Sequence, residues 1–501
     1  MKDNRIKRAK LNMIVSLGCQ LVTLLCGLVV PRLMLGAFGS ELYGATTSIT
    51  QFLSYIALLE GGVGGVARSV LYKPLAENDT EKISRIMAEV RSFFRIVGFL
   101  FVGYVLIIAC SFRSISDLEC LDWISTFGLV VVISLSTFGQ YFIGISNAVL
   151  IQASQQSYIT NLVNIIATVL NAVAVTILVY HNCGIITVKL FSSCIYLLRP
   201  VIQWLYVRRI FKLRSVTRDN TVYLTQKWSG LSQHIAFYLH SNTDVAILTL
   251  FADLYSVAVY SVYNMIVANI QNLVISFASG MEALFGDMLA RKENDQLHKT
   301  FGNYETLISV VAVIMFGTTL SMILPFVGLY TKGISDVNYH VPPLAVFLTL
   351  AGLLYCLRLP YHSLVIAAGH FRQTKVAAYA EAVINVTLSV VLVWAYGIPG
   401  VAFATFLATA MRFFYYVVYL SRHIFYRPIG LFLRRTLVNS LSFTVSVAVG
   451  MLIVQVIPIE SYLSWAVCAG VNALLTASIT MAFNYVFYRR ELSDTVKKFL
   501  K

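Results

Sequence analysis

Fourteen apolar runs divide the chain, near 12–35, 42–67, 94–112, 123–150, 158–180, 184–207, 229–250, 257–280, 304–328, 342–368, 375–396, 400–421, 437–458 and 463–487. Each provides the roughly 20 residues that a helix needs to cross the hydrocarbon of a bilayer. The pattern predicts an all-α polytopic membrane protein of about 14 transmembrane helices. Before the third run, residues 74–95 place Ile83, Ile86, Met87 and Val90 on one helical face with charges opposite. That spacing predicts an interfacial amphipathic helix running into the third span, capped by Asp79 or Thr80.

The runs repeat. FGSELYG (Phe38 to Gly44) joins spans 1 and 2, and FADLYS (Phe251 to Ser256) joins spans 7 and 8. Asn171, Gly184-Ile185 and Arg199 then correspond to Asn385, Gly397-Ile398 and Arg412, at offsets of 213 or 214. Six spans separate the copies, and six is even, so both halves enter from the same side as parallel repeats. The expected organisation is an N-terminal six-helix lobe over 1-210, a cytoplasmic linker over 211-226 and a C-terminal six-helix lobe over 227-424. Helices 13 and 14 with a cytoplasmic tail follow over 425-501.

Composition agrees with lipid as the solvent. Hydrophobic residues make up 58% and charged residues 12%, about half the charge of a soluble domain. The net charge of +15 would suggest nucleic acid in a soluble protein, but its distribution removes that class. With the N-terminus inside, 31 of the 38 Lys and Arg lie on the cytoplasmic side, two (Arg113 and Lys332) lie outside and five fall within spans. This is the positive-inside pattern, with both termini cytoplasmic. MKDNRIKRAK ahead of a long apolar run reads as an uncleaved first span. The eight Cys include no C-x-x-C pair; Cys120 and Cys183 face the outside, where they are candidates for pairing.

No Walker A, G-x-G-x-x-G, H-E-x-x-H or G-x-S-x-G sequence is present, so a transporter is expected, with no catalytic residues, no metal centre and no cofactor. Uphill transport then draws on an ion gradient, on membrane potential or on a separate partner. Charged groups at bilayer depth are costly and face a bundle interior or a wet cavity; they are Arg32, Glu60, Lys189, Arg199, Asp244, Arg358, Glu381 and Arg412, with Arg68 near the end of span 2. Cations outnumber acids, which suits an anionic cargo. Polar stripes at helical spacing mark the wet faces: Asn12, Ser16, Gln20 and Thr23 in span 1; Thr47, Gln51 and Ser54 in span 2; Gln233, His240 and Asp244 in span 7; Ser261, Asn264, Asn272 and Ser276 in span 8. They predict a cavity among spans 1, 2, 7 and 8. The candidate substrate-binding residues are Arg32, Arg68, Glu60, Gln51, His240, Asn264, Asn272, Arg358 and His362. Arg358 and His362, one turn apart, can converge on a phosphate or carboxylate. Asp244, Glu381, Asn385 and Thr405 are candidate ligands for a coupling Na+ or H+; the alternative pairs Glu381 with Arg358 or Arg412. For the uncharged stripes the alternative is interhelical hydrogen bonding.

The segment VVPRLMLGAFGSELYGATTSITQFLSYIALLEGGVGGVARSVL (Val29 to Leu71), with its P-R-x-x-x-G-x-x-G-x-E-x-Y-G pattern and Gly-rich end, resembles bacterial polysaccharide (Wzx-type) flippases of the multidrug/oligosaccharidyl-lipid/polysaccharide (MOP) exporter superfamily. The resemblance implies a MATE-like fold in a bacterial cytoplasmic (inner) membrane. It also implies flipping of an undecaprenyl-pyrophosphate-linked oligosaccharide to the outer leaflet for O-antigen or capsule synthesis, with Arg32 and Arg68 meeting the headgroup. The implied partners are the lipid-linked oligosaccharide, the bilayer and other polysaccharide-assembly proteins, around a monomer. Lipid II flippases and ion-coupled drug or metabolite exporters share this fold. The single Arg32 in span 1 favours the polysaccharide branch over lipid II.

Overall fold

A computed structural model describes residues 2–60, 63–211, 213, 242–278, 281–425 and 428–499, and every regular element among them is helical. The first unit, Met1–Ala258, begins with α1 (Lys2–Ser54), a 3-10 turn (Tyr55–Glu60), α2 (Val63–Glu77) and α3 (Thr80–Ser116). It continues with α4 (Trp123–Gly139), a π-helical turn (Gln140–Gly144), α5 (Ile145–Ala153), α6 (Ser157–Tyr180) and α7 (Ile185–Phe211). After α8 (Asp244–Phe251), α9 (Leu254–Ala278) carries the chain into the second unit, Val259–Lys501. There follow α10 (Met281–Ala290), α11 (Asn294–Tyr330), α12 (Pro342–Ala367), α13 (Phe371–Tyr396), α14 (Ile398–His423), α15 (Ile429–Val456) and α16 (Tyr462–Phe499).

Twelve helices among the described residues are long and apolar enough to cross a membrane, where the sequence predicts fourteen spans. The two counts differ at two places. Span 7, expected over 229–250, is described only from residue 242, and His240 with the rest of its stripe lies outside the described residues. Spans 1 and 2 form one continuous element, Leu11–Glu60, of 50 residues. At 1.5 Å per residue it is about 75 Å long, against a hydrocarbon core of about 30 Å. It breaks at Gly39, which has φ 77 and ψ 175, a conformation that is essentially glycine-only. The break lies within FGSELYG, the predicted link.

The amphipathic segment behaves as its pattern requires. The chain turns at Asn78, with φ 55, and Asp79 Oδ1 caps α3 by accepting from Lys82 N at 2.9 Å. Ile83, Ile86, Met87 and Val90 are all buried. They join Ala45, Ile49, Leu53, Phe94 and Phe101 in the apolar core of the first unit. Residues 74–77 belong to α2, so the amphipathic helix starts later than the polar pattern suggests, and its apolar face packs into the protein core.

Candidate functional site

Helix breaks position the polar groups of the first unit. Glu60 ends the 3-10 turn and Tyr141 sits in the π-helical turn, and the Tyr141 hydroxyl donates to Glu60 Oε1 at 2.6 Å. Turns that leave α geometry recur at functional positions. Arg68 on α2 donates through Nη1 to Gln152 Oε1 on α5, at 2.7 Å. Gln51 Nε2 donates to Asn242 Oδ1 and to Ser54 Oγ, both at 3.2 Å. Beside it Tyr55 donates to the Asn242 carbonyl at 2.8 Å, and Ser48 and Thr249 share a hydrogen bond at 2.7 Å. Arg32 lines a cavity of about 640 Å³ with Gly36, Phe38, Val179, Asn182 and Cys183. Asp244 is buried in the first turn of α8.

The second unit encloses a denser set of charges. Glu381 on α13 is wholly buried and accepts from Arg358 Nη1 on α12 at 2.8 Å and from Arg412 Nη1 on α14. Arg358 and Arg412 are themselves 4% and 7% exposed. Arg412 Nη2 also donates to the Tyr416 hydroxyl at 3.3 Å, and that hydroxyl meets His362 Nδ1 at 3.2 Å. Arg358 lies 4.6 Å over the Tyr355 ring. Two guanidinium groups against one carboxylate leave this cluster with one net positive charge. Each Arg keeps N–H donors beyond the shared carboxylate.

One turn along α13 from Glu381, Asn385 Nδ2 donates to Thr405 Oγ1 at 3.3 Å and Asn385 Oδ1 accepts from Ser389 at 3.1 Å. Thr405 in turn donates to the Val401 carbonyl at 3.2 Å. Three of the four cation candidates, Glu381, Asn385 and Thr405, therefore lie on α13 and α14 while Asp244 lies on α8, and the Glu381 carboxylate is in ion pairs with both arginines that formed its alternative role. Asn264 and Asn272 are exposed on one face of α9. A second buried pair joins Glu305 of α11 to Arg435 of α15, with the Tyr361 hydroxyl also donating to Glu305. Glu305, Tyr361 and Arg435 lie on the wall of a largely apolar cavity of about 530 Å³ bounded by α11, α12, α14 and α15.

No protein-family profile matches the chain, and no curated protein matches it. Its fold is nevertheless that of solved transporters. A lipid II flippase, MurJ, in an inward closed conformation is similar over 96% of this chain and 99% of its own, with 14% identity and a TM-score of 0.69. An inward-facing multidrug resistance MATE family transporter of the MOP superfamily is similar over 82% of this chain and 98% of its own, with 14% identity and a TM-score of 0.58. The MATE multidrug transporter DinF-BH, solved as a complex, matches 83% of this chain and 96% of its own, with 16% identity and a TM-score of 0.56. The chain thus shares the fold of these solved structures.

The repeat extends into the site. Arg199 on α7 donates to Thr168 on α6 at 3.1 Å, as Arg412 donates to Glu381 one helix earlier in the second half. Thr168 and Glu381 are themselves 213 apart, the offset of the two arginines. Equivalent arginines therefore reach equivalent positions, and only the second copy supplies an acid. Sequence reasoning missed Glu305, Arg435, Tyr141, Gln152 and Tyr416. The one signal for the first pair was an acid in the opening turn of the apolar run at 304–328; Arg435, at the edge of the run at 437–458, reads as a cytoplasmic topogenic charge.

Proposed function

We propose that the chain flips an undecaprenyl-pyrophosphate-linked oligosaccharide from the cytoplasmic to the outer leaflet of a bacterial inner membrane, by alternating access, for cell-surface polysaccharide synthesis. The observation that carries this reading is the end-to-end match to a lipid flippase, 96% of this chain, against 82% for the multidrug transporter. The lipid flippase thus matches more of this chain than the multidrug transporter does. Cationic side chains supply the second support: Arg32 on a cavity of about 640 Å³, Arg68 within α2, and the net positive Arg358–Glu381–Arg412 cluster. Arginine matches the planar, bidentate geometry of phosphate oxygens. In this reading Arg32, Arg68 and Arg358 hold the pyrophosphate, while Glu60, Gln51, Asn264, Asn272, His240 and His362 meet the sugar hydroxyls. Asp244, Asn385 and Thr405 serve a coupling Na+ or H+, and Glu381 acts through its arginines. The protein works as a monomer alongside other polysaccharide-assembly proteins, with both termini in the cytoplasm.

A second reading, lipid II as cargo, is favoured by the same match. Expression in a strain lacking its polysaccharide flippase, with lipid-linked intermediates assigned to a leaflet, separates the two. Restored surface polymer supports the first reading; rescue of a lipid II flippase-deficient strain alone supports the second; drug resistance without either rescue overturns both. Arg32→Ala and Arg68→Ala are expected to abolish surface polymer at normal protein level. Normal polymer in both variants would remove the headgroup assignment.

A further inference from the structure

The packing faces of α11, α15 and α16 are polar where lipid-embedded helices are ordinarily apolar. Along α16, Asn472, Thr476, Thr480 and Asn484 recur every four residues, and all are buried. Ser446 and Gly450 of α15 and Gly317 and Ser321 of α11 meet this row. A Cβ at Gly317 would lie 3.2 Å from Thr476 Cγ2 and 3.8 Å from Ser446 Cβ; one at Gly450 would run into both Asn472 Nδ2 and Ser321 Oγ. These contacts define two successive layers, one turn apart. Small residues of this kind let helices approach, and interhelical hydrogen bonds are the usual reason for polar ones.

The hydrogen bonds do not follow that rule. Thr476 donates to Asn472 Oδ1 at 3.2 Å, Asn484 to the Thr480 carbonyl at 2.9 Å and Ser321 to the Gly317 carbonyl at 3.0 Å, each within its own helix. Meanwhile Asn472 Nδ2, Thr480 Oγ1, Ser446 Oγ and Asn439 Oδ1 have no protein partner among the described residues, although their residues are at most 5% exposed. Both donors and acceptors are left over, on two helices of one seam. Buried polar groups in proteins are almost always satisfied, by protein or by ordered water, and unpaired buried donors and acceptors beside open space are where ordered water sits; Asn439 and Arg435 line the cavity of about 530 Å³.

The seam has defined ends. At one, Phe326 meets Tyr462 edge-on and Trp465 at a tilt, and Trp465 Nε1 donates to the Met322 carbonyl at 3.2 Å. At the other, one turn before Asn439, Arg435 pairs with Glu305 and lies 5.0 Å over the Tyr488 ring, one turn beyond Asn484.

We propose that this seam is an internal water site, a file of waters that bridges Asn472, Ser446, Thr480 and Asn439 and brings aqueous contact to the buried Glu305–Arg435 pair. The inference does not depend on which cargo the protein carries. Hydration along this path lets the ion pair open and reform within the membrane without each charge being stripped bare, since water replaces the lost partner.

Silver ion in water is the probe, because it follows narrow aqueous paths and is excluded from hydrocarbon. Full-length Thr480→Cys in proteoliposomes is exposed to Ag+, and each cysteine is read by mass spectrometry, with buried native Cys356 of α12 as the internal reference. The thiol at position 480 is expected to react at least about tenfold faster than Cys356, as for a thiol in contact with water; equal rates would overturn the proposal. A second variant guards against a disturbed fold. Thr480→Val with Ser446→Ala lowers the unfolding temperature if these hydroxyls hold water. A dry seam would be unchanged or stabilised, because unpaired polar atoms are removed, and that result also overturns the proposal.

Discussion

Glu381 is ion-paired with two arginines, so the members of this cluster differ in what their loss leaves behind. Removing Arg358 leaves a neutral Arg412–Glu381 pair, while removing the carboxylate leaves two buried cations facing each other. Breaking a buried pair costs about 3–5 kcal/mol when an uncompensated charge remains. Glu381→Gln is therefore expected to lose that much stability and Arg358→Met clearly less, measured as unfolding midpoints in detergent. Equal losses would mean the three charges do not act as a unit. A second residue outside the spans is open to titration. Cys120 sits in the loop after α3, where partial burial and then the Glu41 carboxylate push its thiol up to about 12. A raised thiol pKa withholds the thiolate at neutral pH, and the thiolate is the reactive form. Maleimide labelling of Cys120 should be slow at pH 7 and still climb above pH 10, where an ordinary thiol of pKa about 8.5 has levelled off. Glu41→Gln should speed it at pH 8, since the carboxylate is one of the two main causes.

Glycines at the first helix break separate structural from tolerant positions within one motif. Gly39 holds φ 77, and a Cβ on Gly44 would collide with the Leu254 carbonyl at the start of α9. At Gly36 the nearest atom to such a Cβ is Arg32 Nη1 at 3.7 Å, ordinary contact. Gly39→Ala and Gly44→Ala are expected to cost about 1–3 kcal/mol or more through backbone strain and collision, while Gly36→Ala is close to neutral; yields of folded protein by size-exclusion chromatography distinguish them. In the same motif Glu41 accepts from the backbone N–H of Glu119 and Cys120, at 3.0 and 3.3 Å. Much of the pattern that carries the family resemblance thus fixes a turn and a loop. What the sequence made legible was mostly local: the Asp79 cap, the buried face of α3 and the break within FGSELYG. Those features depend on neighbours within one or two turns. The Glu305–Arg435 pair was illegible because its members are 130 residues apart and sit at span ends, where a charge can equally reach water. The Glu60–Tyr141 bond was hidden for a related reason: no spacing rule announces a π-helical turn.

At the scale of the whole chain, the number of crossings depends on how α1 is divided. A single crossing would put Ala37, which is exposed, in an element of about 75 Å whose middle lies in hydrocarbon. Two crossings that meet at Gly39 put Ala37 at the membrane surface opposite the N-terminus, on the side of Cys120 and of Asn182 between α6 and α7. On the positive-inside expectation that side is the outside. Ala37→Cys and Asn182→Cys are therefore both expected to react with a membrane-impermeant maleimide added to intact spheroplasts, whereas a cysteine at Asp79, before α3, should react only after permeabilisation. The same assignment puts the Arg32 cavity, with Asn182 and Cys183 on its wall, at the outer end of the first unit. If the chain flips an anionic lipid-linked cargo as proposed, Arg32 would meet the headgroup late in its passage, and Arg68, a full crossing away, would meet it early. Protection of Ala37→Cys from maleimide, with Asn182→Cys labelled, would leave α1 as one long crossing and would remove that order of events.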